Sequence, residues 1–181
     1  MNSVLVLDDL FPQRLVDSIE DDLLNPGTPY FYNERTTTRP LSQEEIDNPQ
    51  WTHVAYTNDP DYSPKTPLWD NLSIPLYFVE KAINKSVERI ERVKVNFMTK
   101  SADTSSHHPW HQDVPAPGFT SMIYYVNDAQ GDTLFKDATV NSVQPKKGRV
   151  VIFPSDMMHC GSPTTSTKRL VVNYILRFGE Q

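Results

Sequence analysis

The apolar residues of this chain change their period near residue 92, and that change restricts the fold more than any other feature. Beyond it, Val93, Val95 and Phe97 alternate with Lys94, Asn96 and Met98. Alternation of this kind marks a strand whose two faces meet different surroundings. FTSMIYYVN (119–127), GDTLF (131–135), RVVIFP (149–154) and RLVVNYILRF (169–178) are further β-rich runs separated by turn residues. Short strands at such close spacing predict a sandwich or barrel rather than a parallel α/β sheet.

Before residue 92 the regular stretches are helical. Residues 12–24, PQRLVDSIEDDLL, predict a helix: Pro12 suits its first turn, and Leu15, Val16, Ile19 and Leu23 form an apolar stripe. A second helix is expected over about residues 75–86, with Leu76, Val79 and Ile83 on one side. Residues 26–75 hold eight of the fifteen prolines, with Tyr30, Phe31, Trp51, Tyr56 and Trp69 among them, and predict an extended, loop-rich, aromatic stretch.

Composition removes several classes. At 181 residues, 38% hydrophobic and 22% charged, the chain can bury one ordinary core. No apolar run approaches the ~20 residues of a membrane-spanning helix, so no membrane partner is expected. The acidic start MNSVLVLDDLF lacks the basic segment of a signal peptide. One cysteine, Cys160, excludes an internal disulfide framework and a multi-cysteine zinc site, and a cytoplasmic location is expected. The net charge of -6 argues against nucleic acid as a partner. Residues 1–144 carry 11 Lys/Arg against 21 Asp/Glu, whereas residues 145–181 carry 6 against 2. That basic end could serve an anionic small molecule or form a solvated face.

The residues that carry chemistry lie in the β half. SSHHPWHQDVP (105–115) sets His111 and Asp113 one residue apart, so on a strand both side chains leave one face, about 7 Å apart along the chain. His159 is the only later histidine and sits in FPSDMMHCGSP, where a loop or strand end could return it to the same pocket. Two imidazoles and a carboxylate on one side of a divalent metal leave three adjacent positions open, as in non-heme Fe(II) oxygenases. Arg169 opens the last run and shares a face with Val171 and Asn173. A guanidinium pointing into a barrel needs a partner, because a buried lone charge costs several kcal/mol. A dicarboxylic acid would supply one bidentately. From position alone, Arg169 could equally stand exposed beside Lys168.

In order, HQD, SMIYYVND, GDTLF, KKGRVVIFPSDMMHCGSP and KRLVVNYI make about residues 93–178 resemble the iron- and 2-oxoglutarate-dependent dioxygenases, specifically their prolyl-4-hydroxylase-like branch. DDLFPQRLVDSI also resembles the short helix that often opens such proteins. The resemblance implies a mainly β fold, a double-stranded β-helix (jelly roll, cupin-like) with packing helices. It implies a single domain over residues 1–181, helical and loop-rich over 1–92 and with the jelly-roll core over 93–178. His111, Asp113 and His159 would then be the catalytic Fe(II) ligands. Arg169 would pair with the distal carboxylate of 2-oxoglutarate, and Tyr125 would help to hold it. The implied activity is hydroxylation of a peptidyl (prolyl-like) or small-molecule substrate, using O2 and 2-oxoglutarate and releasing succinate and CO2. Ascorbate could serve as an auxiliary reductant. The alternative is a cupin-like metal-binding module, non-catalytic or differently catalytic. An inactive copy should have lost a metal ligand or the basic anchor, and this chain keeps all four.

The chain also departs from the family pattern. Gln130-Gly131 stands where two glycines are frequent, and Val171 where a Ser or Thr often follows the basic anchor. A missing carboxylate contact could come from Ser121 or Thr133. The tyrosine usual on the strand before HxD has no clear equivalent; Phe97 and Met98 are nearest, and Asn96 is a polar candidate. Lys168 takes the anchor role if the strand register slips by one. His107 and His108 could line the pocket mouth with Trp110, and His53 is expected to be structural. Residues 26–75 and 99–110 are the expected cover of the site.

Overall fold

The computed structural model describes residues 3–36, 40–62 and 65–179. In chain order the elements are β1 (Leu5–Leu7), α1 (Gln13–Leu24), β2 (Phe31–Asn33), β3 (Gln50–Thr57), α2 (Leu68–Ile83) and β4 (Val87–Thr99), then β5 (Thr120–Tyr125), β6 (Thr133–Phe135), β7 (Ser142–Val143), β8 (Val150–Pro154), β9 (His159–Gly161) and β10 (Lys168–Phe178). A large antiparallel sheet runs β1-β8-β5-β10-β4-β3-β2 and faces a small one, β7-β6-β9. Backbone 108–111 extends the small sheet: His111 and His159 exchange two N–H···O bonds of 3.0 Å, and His108 N–H donates to Gly161 O at 2.9 Å. The architecture is the double-stranded β-helix.

Period two sorts the large sheet into two cores. Met122 and Tyr124 of β5, with Leu170, Val172 and Tyr174 of β10, face outward and pack against Ile19 and Leu23 of α1 and Leu72, Leu76 and Val79 of α2. Ile123, Tyr125 and Val171 face inward, against Phe135 of the small sheet and Phe153. Each buried side chain of this size contributes about 1.5–3 kcal/mol, so both faces are firmly held. The inner layer is where polar residues intrude.

Two expectations are corrected here. The second helix starts at Leu68, not near Pro75, and ends at Ile83, where Asn84 adopts φ 53° as a left-handed cap. Proline in a helix interior removes a hydrogen bond, yet Pro75 lies buried within the helix. Residues 26–75 are also more regular than their prolines suggest. β3 pairs with β4, and β2 with β3. A bulge between Val54 and Tyr56 breaks the alternation of β3 and hides it from a period-two reading.

Candidate active site

The cleft between the two sheets has a volume of about 370 Å³. His111, Asp113 and His159 converge in it, with ligand atoms within 4.8 Å of one another. The paired backbones of residues 111 and 159 set the two imidazoles side by side, ring centroids 4.4 Å apart. Only half of the expected strand geometry is present. His111 sits in the isolated bridge, whereas Asp113 lies in a bend. Its carboxylate is turned back into the cleft by hydrogen bonds from Ser121 Oγ (2.6 Å) and Asn173 Nδ2 (3.1 Å), both to Oδ2. Ser155 Oγ lies 2.9 Å from Ser121 Oγ; Ser121 gives its proton to Asp113, so Ser155 is the donor of that pair.

The donor set fits a divalent first-row metal. His111 Nδ1 lies 3.1 Å from Pro109 O, and His159 Nδ1 3.0 Å from Met157 O. A carbonyl can only accept, so each Nδ1 carries the proton and each Nε2 presents its lone pair, the tautomer a metal needs. Burial by itself would raise the Asp113 pKa, but His159, the Ser121 hydroxyl, His111 and Asn173 together hold it below the usual carboxylate range. Burial lowers His159, opposed by Asp113. Both groups are therefore in the ligating form at neutral pH. Cys160 lines the cleft but contributes no ligand atom to this cluster, and burial pushes its thiol up to about 12.

At the other end of the cleft stands Arg169, 3% exposed. Its Nε donates to Gly131 O (2.8 Å), Nη2 to Thr133 Oγ1 (3.2 Å) and Nη1 to Met98 Sδ (3.7 Å). One N–H on each terminal nitrogen keeps no partner among the described residues, and none of their carboxylates lies within 4.0 Å. Tyr125 donates its hydroxyl to Thr133 Oγ1 at 2.7 Å. Thr133 thus accepts two bonds, and its own proton is left to point into the cleft that it lines. Tyr125 does not line the cleft; its ring lies 6.0 Å under the Arg169 guanidinium, and its hydroxyl meets Thr133.

Several open alternatives close here. Thr133, not Ser121, stands beside the guanidinium. Arg169 is buried inward and Lys168 is not, so the register needs no slip. Of the two residues nearest the missing tyrosine, Met98 faces the guanidinium, while Phe97 packs on the outer core. His108 lines the cleft, but His107 does not; it accepts from Trp110 Nε1 at 3.2 Å. His53 bridges Pro29 O and Thr66 Oγ1, both at 2.8 Å, in a structural role. The two expected covering segments are joined: Ile46 N–H donates to His107 O, and Asn48 Nδ2 to Ser101 Oγ, both at 2.9 Å. Among the described residues, no helix is long and apolar enough to cross a membrane.

Residues 94–177, the segment that holds His111, Asp113, His159, Thr133 and Arg169, match the model of the 2OG-Fe(II) oxygenase superfamily. Over this segment, a little under half of the chain, the protein is similar to the 2OG-Fe(II) oxygenases. No curated protein matches the chain. Among solved structures, it is similar over 96% of its length to 84% of a 2OG-Fe(II) oxygenase-family oxidoreductase from Burkholderia pseudomallei (14% identity, TM-score 0.72). A Trichoplax adhaerens prolyl hydroxylase in complex with a hypoxia-inducible-factor peptide fragment aligns over 98% of this chain and 84% of its own (13%, 0.66). The epimerase SnoN, in complex with Fe3+, alpha-ketoglutarate and nogalamycin RO, aligns over 97% and 79% (12%, 0.64). The chain thus shares its fold with one protein bound to a peptide and one bound to a small molecule.

Proposed function

We propose that His111, Asp113 and His159 hold Fe(II), that Arg169 and Thr133 bind the distal carboxylate of 2-oxoglutarate, and that the oxygenase hydroxylates a C–H bond of a peptidyl or small-molecule substrate. The observation that carries this reading is Arg169: a buried guanidinium without a carboxylate partner, in the same cleft as the three ligands. An unpaired buried charge costs several kcal/mol, and a dianionic cosubstrate removes that cost. Iron, when bound, supplies the redox chemistry by which O2 and 2-oxoglutarate become succinate, CO2 and the hydroxyl oxygen of the product. The chain's own share is placement. Pro109 O and Met157 O orient the imidazoles, Ser121 and Asn173 orient the carboxylate, and the Gly131 carbonyl aims the guanidinium. Ile123, Val171 and Met98 line the cleft between anchor and metal cluster and keep water from the reacting atoms.

The test is anaerobic binding of 2-oxoglutarate with and without Fe(II), followed by succinate release in air. His111→Ala and His159→Ala should abolish most metal binding, while His53→Ala retains it. Arg169→Lys keeps the charge but loses the planar fork, and should weaken 2-oxoglutarate about tenfold or more with the metal retained. Equal metal binding in all variants, or 2-oxoglutarate affinity indifferent to Arg169, overturns the assignment.

A further inference from the structure

Strand β4 brings two further cations into the cleft. Arg92, Lys94, Asn96 and Met98 all line it. Met98 pairs in register with Arg169 and stands at the anchor end. Lys94 pairs with Asn173, whose amide holds Asp113, and Arg92 lies one inward step further on, opposite Ile175. Lys94 is therefore level with the metal cluster and roughly 13 Å of strand away from Arg169. The five-carbon diacid fills the space between Arg169 and the metal, and Lys94 and Arg92 face what lies beyond it.

Among the described residues Lys94 has no ion pair, and the half-exposed Arg92 has only a long one, to Asp113. Lys94 is half-buried and makes no hydrogen bond or ion pair with any described residue. Burial, and then the Arg92 charge, pull its pKa down, with Asp113 only partly opposing. Arg92 approaches Asp113 Oδ1 no closer than 3.9 Å, and its buried Nε has no partner. Asp113 is the sole acid among the described residues lining the cleft. In net charge, Asp113 and the dianionic cosubstrate together balance Arg169 and a divalent metal. The charges of Lys94 and Arg92 remain, beside two buried amide oxygens without partners, Asn96 Oδ1 and Asn173 Oδ1.

We propose that Lys94 and Arg92 form an acid-binding subsite, so that the substrate of this oxygenase carries a carboxylate or phosphate monoester held beside the metal. The inference rests on the Fe(II)/2-oxoglutarate reading for its orientation in the cleft. The two orphaned amide oxygens accept from an N–H or O–H next to the acid, as an amino acid, hydroxy acid or acidic peptide residue provides.

Calorimetry on protein loaded with Zn(II) and N-oxalylglycine, an unreactive 2-oxoglutarate analogue, tests this. The probes are small carboxylic acids and phosphate monoesters, each beside its neutral amide or alcohol. Acids should bind at least tenfold tighter than their neutral partners, and the two arms show which oxyacid is preferred. Lys94→Met and Arg92→Leu should each weaken the best acid at least tenfold, with N-oxalylglycine affinity within twofold of wild type. A panel in which no acid surpasses its neutral partner overturns the subsite. So does loss of N-oxalylglycine affinity in Lys94→Met, which would make Lys94 a cosubstrate anchor. Failure of the wild type to bind N-oxalylglycine, read before any acid is added, overturns the role of Arg169 instead.

Discussion

Gly131 sits at φ 95°, and a Cβ there would stand 2.8 Å from Ser162 O and 3.0 Å from Pro163 O. Its carbonyl fixes Arg169 Nε. Gly131→Ala should therefore cost about 1–3 kcal/mol in urea unfolding through backbone strain. The displaced carbonyl should also weaken N-oxalylglycine, with metal affinity nearly intact in a parallel titration. Thr133 and Tyr125 separate direct from relayed contact. Thr133→Val removes the proton facing the cleft and leaves the Tyr125 hydroxyl buried without an acceptor, so N-oxalylglycine affinity should fall about tenfold or more. Tyr125→Phe leaves the Thr133 hydroxyl in place and should cost less than threefold. The reverse order of these two variants in calorimetry would mean that Tyr125 meets the cosubstrate itself.

Among the elements, β10 connects both faces of the protein: Arg169, Val171 and Asn173 line the cleft, while Tyr174 points outward and donates to Leu72 O of α2 at 2.9 Å. Tyr174→Phe should cost about 1 kcal/mol by thermal or urea unfolding, with metal binding retained, because the lost bond ties helix to sheet on the far side of the site. The period-two runs made β5, β6, β8 and β10 legible, and with them the inward set of Arg169, Val171 and Asn173. The same alternation on β4 was visible and offered Asn96 as a polar pocket residue, yet nothing in it singled out Lys94 or Arg92. Only the opposing small sheet shows that this face looks into a cleft. Thr133 stood in the sequence as one of two candidates, and a hydrogen bond made through folding, not spacing, selects it. β2 and β3 were hidden by prolines and a bulge, and the bend at Asp113 by the assumption that HxD lies on one strand.

For the whole molecule, buried titratable groups set the response to acid. Burial first, and then the Arg169 charge, push His108 down to about 4, and the residue is 7% exposed. In the unfolded chain a histidine takes its proton near pH 6.5. Between those values the unfolded state holds more protons, so stability falls as pH drops from about 6.5 to 4, by up to about 3 kcal/mol for this group. His159, lowered by burial, acts in the same direction. The depressed Asp113 contributes stability above its unfolded value, and this is lost as pH falls through the lower folded one. Urea unfolding of the metal-free protein from pH 7.5 to 4.5 should show the loss, and His108→Asn should flatten it.

His111 and His159 hold each other through their backbones across a long stretch of chain that includes β5 to β8. Bringing such distant segments together is slow, because loop closure comes before any contact rewards it. The proposed metal cluster therefore forms only once the small sheet has closed on the large one. A metal that prefers the finished cluster stabilises the native state and leaves the folding barrier unchanged as seen from the unfolded side. In stopped-flow experiments, Zn(II) at saturating concentration should leave the refolding rate unchanged and slow unfolding by the whole of the added stability. The rate of chelator-induced unfolding then becomes a clock for how long this bridge stays closed.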